Sequence, residues 1–173
     1  SIYTPATKGK HPLIICPDGH WVTRSRADEQ KRLATLARMG AICVDFDLYA
    51  YGQSEAEIRA KAQKANPSAP FSGESLHRTD RAHVMQVLNA LVLLDYMWDN
   101  RKDVDKTRVG VNGGSGGGSH TILLTAIDNR FTAAAPTVNL ASHFDGGCPC
   151  ESGKPIQRAA GGSRRFPAGA PHQ

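Results

Sequence analysis

Short apolar runs alternate with helix-like segments along most of this 173-residue chain, and this alternation constrains the fold more than any other feature. The apolar runs at 11–16, 41–46 and 107–111 are typical of buried strands, and a fourth strand is predicted at 131–138. A helix between two strands returns the chain so that the strands lie parallel. The sequence therefore predicts an α/β fold, a three-layer sandwich with a mostly parallel sheet and helices on both faces.

Four segments outside the strands show helical signals. Residues 29–39 place apolar side chains at helical spacing, and Gly40 offers the left-handed conformation that often ends a helix. Residues 82–98 carry the clearest apolar stripe, and 120–127 predict a further helix. The polar stretch before residue 80 contains prolines and predicts an excursion with one short helix at 56–64.

The composition fits one ordinary domain followed by a tail. Hydrophobic residues make up 40% and charged residues 21%, which is enough apolar content to bury a core. Residues 1–155 are predicted to form the domain, and 156–173, rich in Ala, Gly, Pro and Arg, a flexible basic tail. Much of the net charge of +5 belongs to this tail, so no nucleic-acid surface is predicted. With no secretory signal or transmembrane segment, we expect a soluble protein whose compartment is unassigned.

A glycine-rich segment at 113–117 surrounds a serine, Ser115, in the pattern G-x-S-x-G. A strand is predicted before it and an apolar helix after it, which is the strand–turn–helix context of a nucleophile elbow. In that turn the serine hydroxyl projects above the sheet, and the N–H of the next residue, Gly116, faces the oxyanion. The alternative is a phosphate-binding loop, but no lysine follows and His120 stands in its place. The pattern therefore predicts Ser115 as a nucleophile.

The loop after the first strand, at 17–21, is expected to complete an oxyanion hole. Gly19 allows the backbone to approach closely, and His20 or Trp21 offers the second N–H. An ordinary tight turn is equally compatible with this spacing.

With these residues in view, the chain resembles the α/β-hydrolase superfamily, and within it the acetyl xylan esterase-like and dienelactone hydrolase-like serine esterases. The resemblance spans residues 11–155 and rests on the stretches 17–21, 47–54, 103–118 and 142–151. It implies a carboxylic ester hydrolase that acts on small acyl esters through an acyl-enzyme on Ser115. Asp18 departs from the pattern, because relatives often have histidine there.

The partners of Ser115 are marked less clearly. In such hydrolases an acid and a histidine follow the serine on loops after later strands. The sequence after residue 140 shows no further strand pattern, which predicts a sheet that lacks the C-terminal strands. His143 and Asp145 are the best-placed candidates for base and acid; the alternative is a loop histidine with a structural hydrogen bond. A sheet edge left open predicts self-association into a homo-oligomer.

Other functions find less support in the sequence. Cys148 and Cys150 beside His143 fall short of the usual zinc spacing, so we expect no metal site and no cofactor. A nucleotide-binding domain is disfavoured because the first strand lacks a G-x-G-x-x-G run. The alternative to a serine esterase is a catalytically impaired hydrolase fragment that serves as a binding or oligomerising module. The expected partner is a small-molecule ester rather than a nucleic acid or a membrane.

Overall fold

The computed structural model describes residues 1–19, 24–68 and 82–137. Within these ranges the strands are β1 (Ile2–Tyr3), β2 (His11–Pro17), β3 (Ile42–Phe46), β4 (Val104–Gly114) and β5 (Ala133–Thr137). The helices are α1 (Ala27–Arg38), α2 (Gln53–Ala65), α3 (Ala82–Asn100) and α4 (Gly116–Ile127). The strands form one sheet in the order β1-β3-β2-β4-β5.

The predicted α/β fold with a mostly parallel sheet is confirmed. The pairs β2–β3, β2–β4 and β4–β5 are parallel, while the short β1 pairs antiparallel with β3. The sequence pattern missed β1, because two residues are too few to show an alternation. The helix predicted at 120–127 begins at Gly116, although glycine is a poor helix former.

The core lies on both faces of the sheet, and the alternation of side chains along each strand assigns residues to one face or the other. On the first face α3 and α4 pack against the sheet. The buried residues there include Leu13, Ile15, Val109, Val111, Leu94, Met97 and Leu124. On the second face α1 packs through Leu33 against Cys16 and Cys43, both fully buried thiols. Consecutive residues of β2 therefore pack on opposite faces of the sheet.

Several predictions from the sequence fall outside the described residues. These include the boundary at 155, the tail at 156–173 and the missing C-terminal strands. Within the described part of the chain, β5 pairs only with β4, and most of its residues are exposed. The proposed self-association stays a prediction. No helix among the described residues is both long and apolar enough to cross a bilayer.

Candidate active site

Ser115 occupies the sharp turn between β4, which ends at Gly114, and α4, which begins at Gly116. Its backbone has φ 55° and ψ −120°, a conformation that a residue with a side chain adopts at a cost of about 1–3 kcal/mol. Hydrogen bonds hold it there. The Ser115 N–H donates to the Thr137 carbonyl at 3.0 Å, and its carbonyl accepts from Gly118 N at 2.8 Å. The residue is half-buried.

Two glycines of the pattern, Gly113 and Gly117, are required by close backbone contacts. A Cβ at Gly113 would lie 2.6 Å from both the Gly117 and the Pro17 carbonyl oxygens. At Gly117 the same addition would lie 2.2 Å from the Pro17 oxygen. The end of β2, the end of β4 and the first turn of α4 thus meet with no room for side chains. The G-x-S-x-G pattern reflects this crossing of three backbones.

The loop that follows β2 reaches the same turn. A Cβ at Gly19 would lie 2.8 Å from the Gly114 oxygen and 3.3 Å from Ser115 Cβ, so the backbone of Gly19 touches the elbow. Gly116 begins α4, where helix geometry leaves its N–H without an intrahelical acceptor and the helix dipole favours negative charge. The two backbone segments predicted to form an oxyanion hole therefore converge at Ser115. His20 and Trp21 lie outside the described residues.

Two buried carboxyl groups lie close to this loop, and the sequence analysis did not single them out as functional. Asp18 directly precedes Gly19, Asp45 belongs to β3, and each is only 1% exposed. Burial and the nearby Asp45 charge raise the pKa of Asp18 to about 8. Burial also raises the pKa of Asp45. The available signal was an acidic residue inside the apolar run of β3, where a charge is costly unless it is compensated.

Asp47 braces the far end of the same loop. One carboxylate oxygen accepts the Arg24 N–H at 3.1 Å, and the other lies 3.2 Å from the Arg24 guanidinium. The second oxygen also accepts the N–H of Gln53, the first residue of α2, at 3.3 Å. The side chain of Asp47 is only 9% exposed. Gly19 is therefore held at the elbow and Arg24 at Asp47.

Asp47→Ala is expected to lower the free energy of unfolding by about 1–3 kcal/mol, because it leaves partly buried N–H groups without an acceptor. Urea denaturation followed by circular dichroism measures the change. Asp28→Ala is the matched control, since Asp28 pairs with Arg26 at a fully exposed position and should matter little. Equal effects of the two substitutions would show that Asp47 is not a brace.

Two histidines, His11 and His120, are buried. His11 is 8% exposed, and its ring nitrogens lie 3.1 Å from the Gly40 carbonyl and 3.0 Å from that of Thr7. His120 is 1% exposed within α4. The predicted base and acid, His143 and Asp145, lie outside the described residues. Nor do the described histidines, cysteines and acids form a group of three that could hold a metal ion.

Comparisons with known proteins agree with this arrangement. The model of the acetyl xylan esterase family AXE1 matches residues 1–153. Among solved structures, methylesterase BT1017 shares 56% sequence identity at a TM-score of 0.78, and the match covers 93% of this chain. That match covers 33% of the methylesterase, so the chain spans about a third of its length. No curated protein matches.

Two more distant structures resemble the chain in fold alone. An acetyl xylan esterase from Paenibacillus sp. R4 shares 19% identity at a TM-score of 0.56, covering 94% of this chain and 53% of that one. Est1E from Butyrivibrio proteoclasticus also shares 19% identity, at a TM-score of 0.54, covering 78% of this chain and 44% of that one.

Proposed function

Because the chain belongs to the acetyl xylan esterase family, whose structural neighbours are esterases of the α/β-hydrolase type, we propose that it hydrolyses carboxylic esters through an acyl-enzyme on Ser115. The observation that supports this most strongly is the backbone of Ser115, held at φ 55° between a strand and a helix with Gly19 packed against it. Strained turns of this kind persist where the surrounding structure enforces them, and they cluster at active sites.

The chemistry follows from the groups that meet at the turn. The Ser115 hydroxyl attacks the ester carbonyl carbon while a base removes its proton. The N–H of Gly116 and one from the loop at 19–21 stabilise the oxyanion of the tetrahedral intermediate. The tetrahedral intermediate then collapses. The leaving oxygen takes the proton back from the base and departs as the alcohol, while the acyl group remains on the serine oxygen. Water then attacks the acyl-enzyme by the same route, releasing the acid and restoring the hydroxyl.

For the base we propose His143, oriented by Asp145. His143→Ala is then expected to slow hydrolysis of p-nitrophenyl acetate on the order of 10²-fold or more. The rate of the unchanged protein should fall as the pH drops through about 6.5, because a protonated imidazole cannot accept the serine proton. His172→Ala, which changes a histidine of the predicted tail, is the control. If both substitutions leave the rate unchanged, the base is another group, although Ser115 could still be the nucleophile.

The substrate class follows from the names of the relatives. The matching family is named for acetyl esters, and the solved structure at 56% identity is a methylesterase. An acetyl ester is small on the acyl side and a methyl ester on the alcohol side. We therefore propose that the substrate is an ester in which either the acyl group is acetyl or the alcohol group is methyl. Release of p-nitrophenol from an acetate and of methanol from a methyl ester separates the two arrangements.

A catalytically impaired binding module is the second candidate. It is the alternative that the sequence leaves open, because the partners of Ser115 are marked less clearly than Ser115 itself. Such a module would react once with a fluorophosphonate at Ser115 but would not turn over any ester. Measured turnover by the intact chain would exclude it.

A further inference from the structure

The two buried carboxyl groups at the base of the Gly19 loop lie on neighbouring strands. In the parallel pairing of β2 and β3, Cys16 is the partner of Asp45, and Asp18 lies two residues beyond Cys16. Residues two apart along an extended chain point to the same face. Asp18 and Asp45 therefore lie on one face of the sheet, beneath α1.

The carboxyl oxygens lack ordinary hydrogen-bond donors. Within the described part of the chain, none of the four carboxyl oxygens of Asp18 and Asp45 accepts a hydrogen bond from a backbone N–H, a hydroxyl or a side-chain nitrogen. The two side chains instead lie within hydrogen-bonding reach of each other. Two ionised carboxylates at this separation would repel strongly in a buried setting. One proton between them turns the repulsion into an O–H···O⁻ hydrogen bond, which is short and strong.

The charged groups around the pair act in opposite directions: the Glu29 carboxylate raises the pKa of both Asp18 and Asp45, whereas the Arg32 guanidinium lowers both and the amino group of Ser1 lowers that of Asp45. Glu29 and Arg32 of α1 face both carboxyls, the amino group of Ser1 faces Asp45, and the thiol of Cys16 lies beside Asp45. Arg32 does not neutralise the pair, because its guanidinium binds the Glu29 carboxylate and the Asn112 side-chain oxygen, the latter at 2.6 Å.

We propose that Asp18 and Asp45 are positioning residues: the hydrogen bond between their carboxyl groups holds Gly19 against Ser115, and its loss loosens this contact and slows acylation. The inference rests on the proposed function of Ser115. Asp18 is the partner that moves, since it directly follows the last residue of β2 while Asp45 lies within β3. A small displacement of Gly19 moves the N–H that the loop at 19–21 is proposed to supply away from the developing oxyanion. Such donors act only at close range.

The test is Asp45→Asn in the full chain. The uncharged amide of asparagine removes the negative charge beside Asp18, and its N–H₂ donates to the ionised Asp18 carboxylate. Both effects favour the ionised form, so the pKa of Asp18 falls and the hydrogen bond no longer depends on a proton that is lost near pH 8. Asp105→Asn is the matched control, because the Asp105 carboxylate bonds Thr107 and Arg108 at the surface. In each protein, amide NMR shifts of Gly19 and Ser115 and the rate of fluorophosphonate labelling are followed from about pH 6 to about pH 10.

In the unchanged protein and in Asp105→Asn, we expect the Gly19 and Ser115 shifts to move together near pH 8 and labelling to slow on the order of 10-fold above it. This direction is distinctive, since deprotonating a histidine base raises activity. In Asp45→Asn neither change should occur. Asp18→Asn, which preserves the same hydrogen bond from the other side, replaces it if the first variant does not fold.

Two results would overturn the inference: resonances of Gly19 that do not titrate in the unchanged protein, or an alkaline transition that persists in the asparagine variant. The NMR measurement needs no catalysis, so the two hypotheses can fail separately. If the shifts titrate as expected but Ser115 is never labelled at any pH, the proposed function is wrong while the coupling of the pair to the loop is supported.

Discussion

Replacing Ser115 by alanine is expected to abolish fluorophosphonate labelling and to reduce ester hydrolysis on the order of 10⁴-fold or more. The reason is geometric. Ser115 occupies the strained turn where the Gly19 loop and the start of α4 converge, and the proposed function assigns the attack on a bound carbonyl to its hydroxyl. Removing that oxygen removes the bond to the acyl group, whatever group acts as base. Mass spectrometry of the labelled protein locates the adduct, and p-nitrophenol release measures turnover.

The matched control for that experiment is Ser68→Ala. Ser68 is exposed, and its N–H bonds to the side chain of Asn66, far along the chain from the elbow. We expect this variant to label and turn over like the unchanged protein. An adduct on any serine other than Ser115, or full hydrolysis by Ser115→Ala, would remove the basis of the proposed function.

Gly117→Ala should cause the largest loss of stability among single methyl additions near the site. The added Cβ would lie 2.2 Å from the Pro17 carbonyl oxygen and 3.0 Å from its carbonyl carbon, both backbone atoms within the sheet. The added methyl group and the Pro17 carbonyl both belong to fixed backbone and cannot rotate away from each other. We therefore expect the free energy of unfolding to fall by about 3 kcal/mol or more. In a chain of this size, that loss corresponds to a melting temperature lower by roughly 6–12 °C. Thermal and urea denaturation measure it.

Gly114→Ala provides the comparison, since a Cβ at Gly114 meets nothing within 4 Å. The two substitutions add the same group three positions apart, on either side of Ser115. The free energy of unfolding of Gly114→Ala should therefore be close to that of the unchanged protein. Similar losses in both variants would mean that the packing of β2 against α4 does not explain the glycines.

Local patterns in the sequence were enough to predict the strand–turn–helix unit around Ser115. The apolar run before the glycines and the apolar helix after them are both visible within one short window. The apolar pattern alone marks only 120–127 of α4, although the G-x-S-x-G context already predicted a helix directly after the motif. Glycine has low helix propensity, and the contact with Pro17 explains why Gly117 stands there. The two-residue β1 was missed, since its pairing with β3 leaves no periodic signal.

The buried pair could not be predicted in the same way. The charge of Asp45 inside an apolar run was visible, but its partner depends on which strands are neighbours and in what register. Asp18 and Asp45 are brought together only because β2 pairs with β3 so that Cys16 is opposite Asp45. Separate stretches of sequence do not encode that register, which is why long-range polar pairs require a structure.

The strand order has a consequence for how the molecule acquires its chemistry during folding. β2 lies near the start of the chain and β4 near the end of the described part, yet they are neighbours at the centre of the sheet. Their pairing must close a long loop, which is entropically costly and slow. The contact between Pro17 and Gly117 depends on this pairing. On the proposed function, we therefore expect Ser115 to become reactive toward esters late in refolding, after the helices have formed. A partly folded chain should not react.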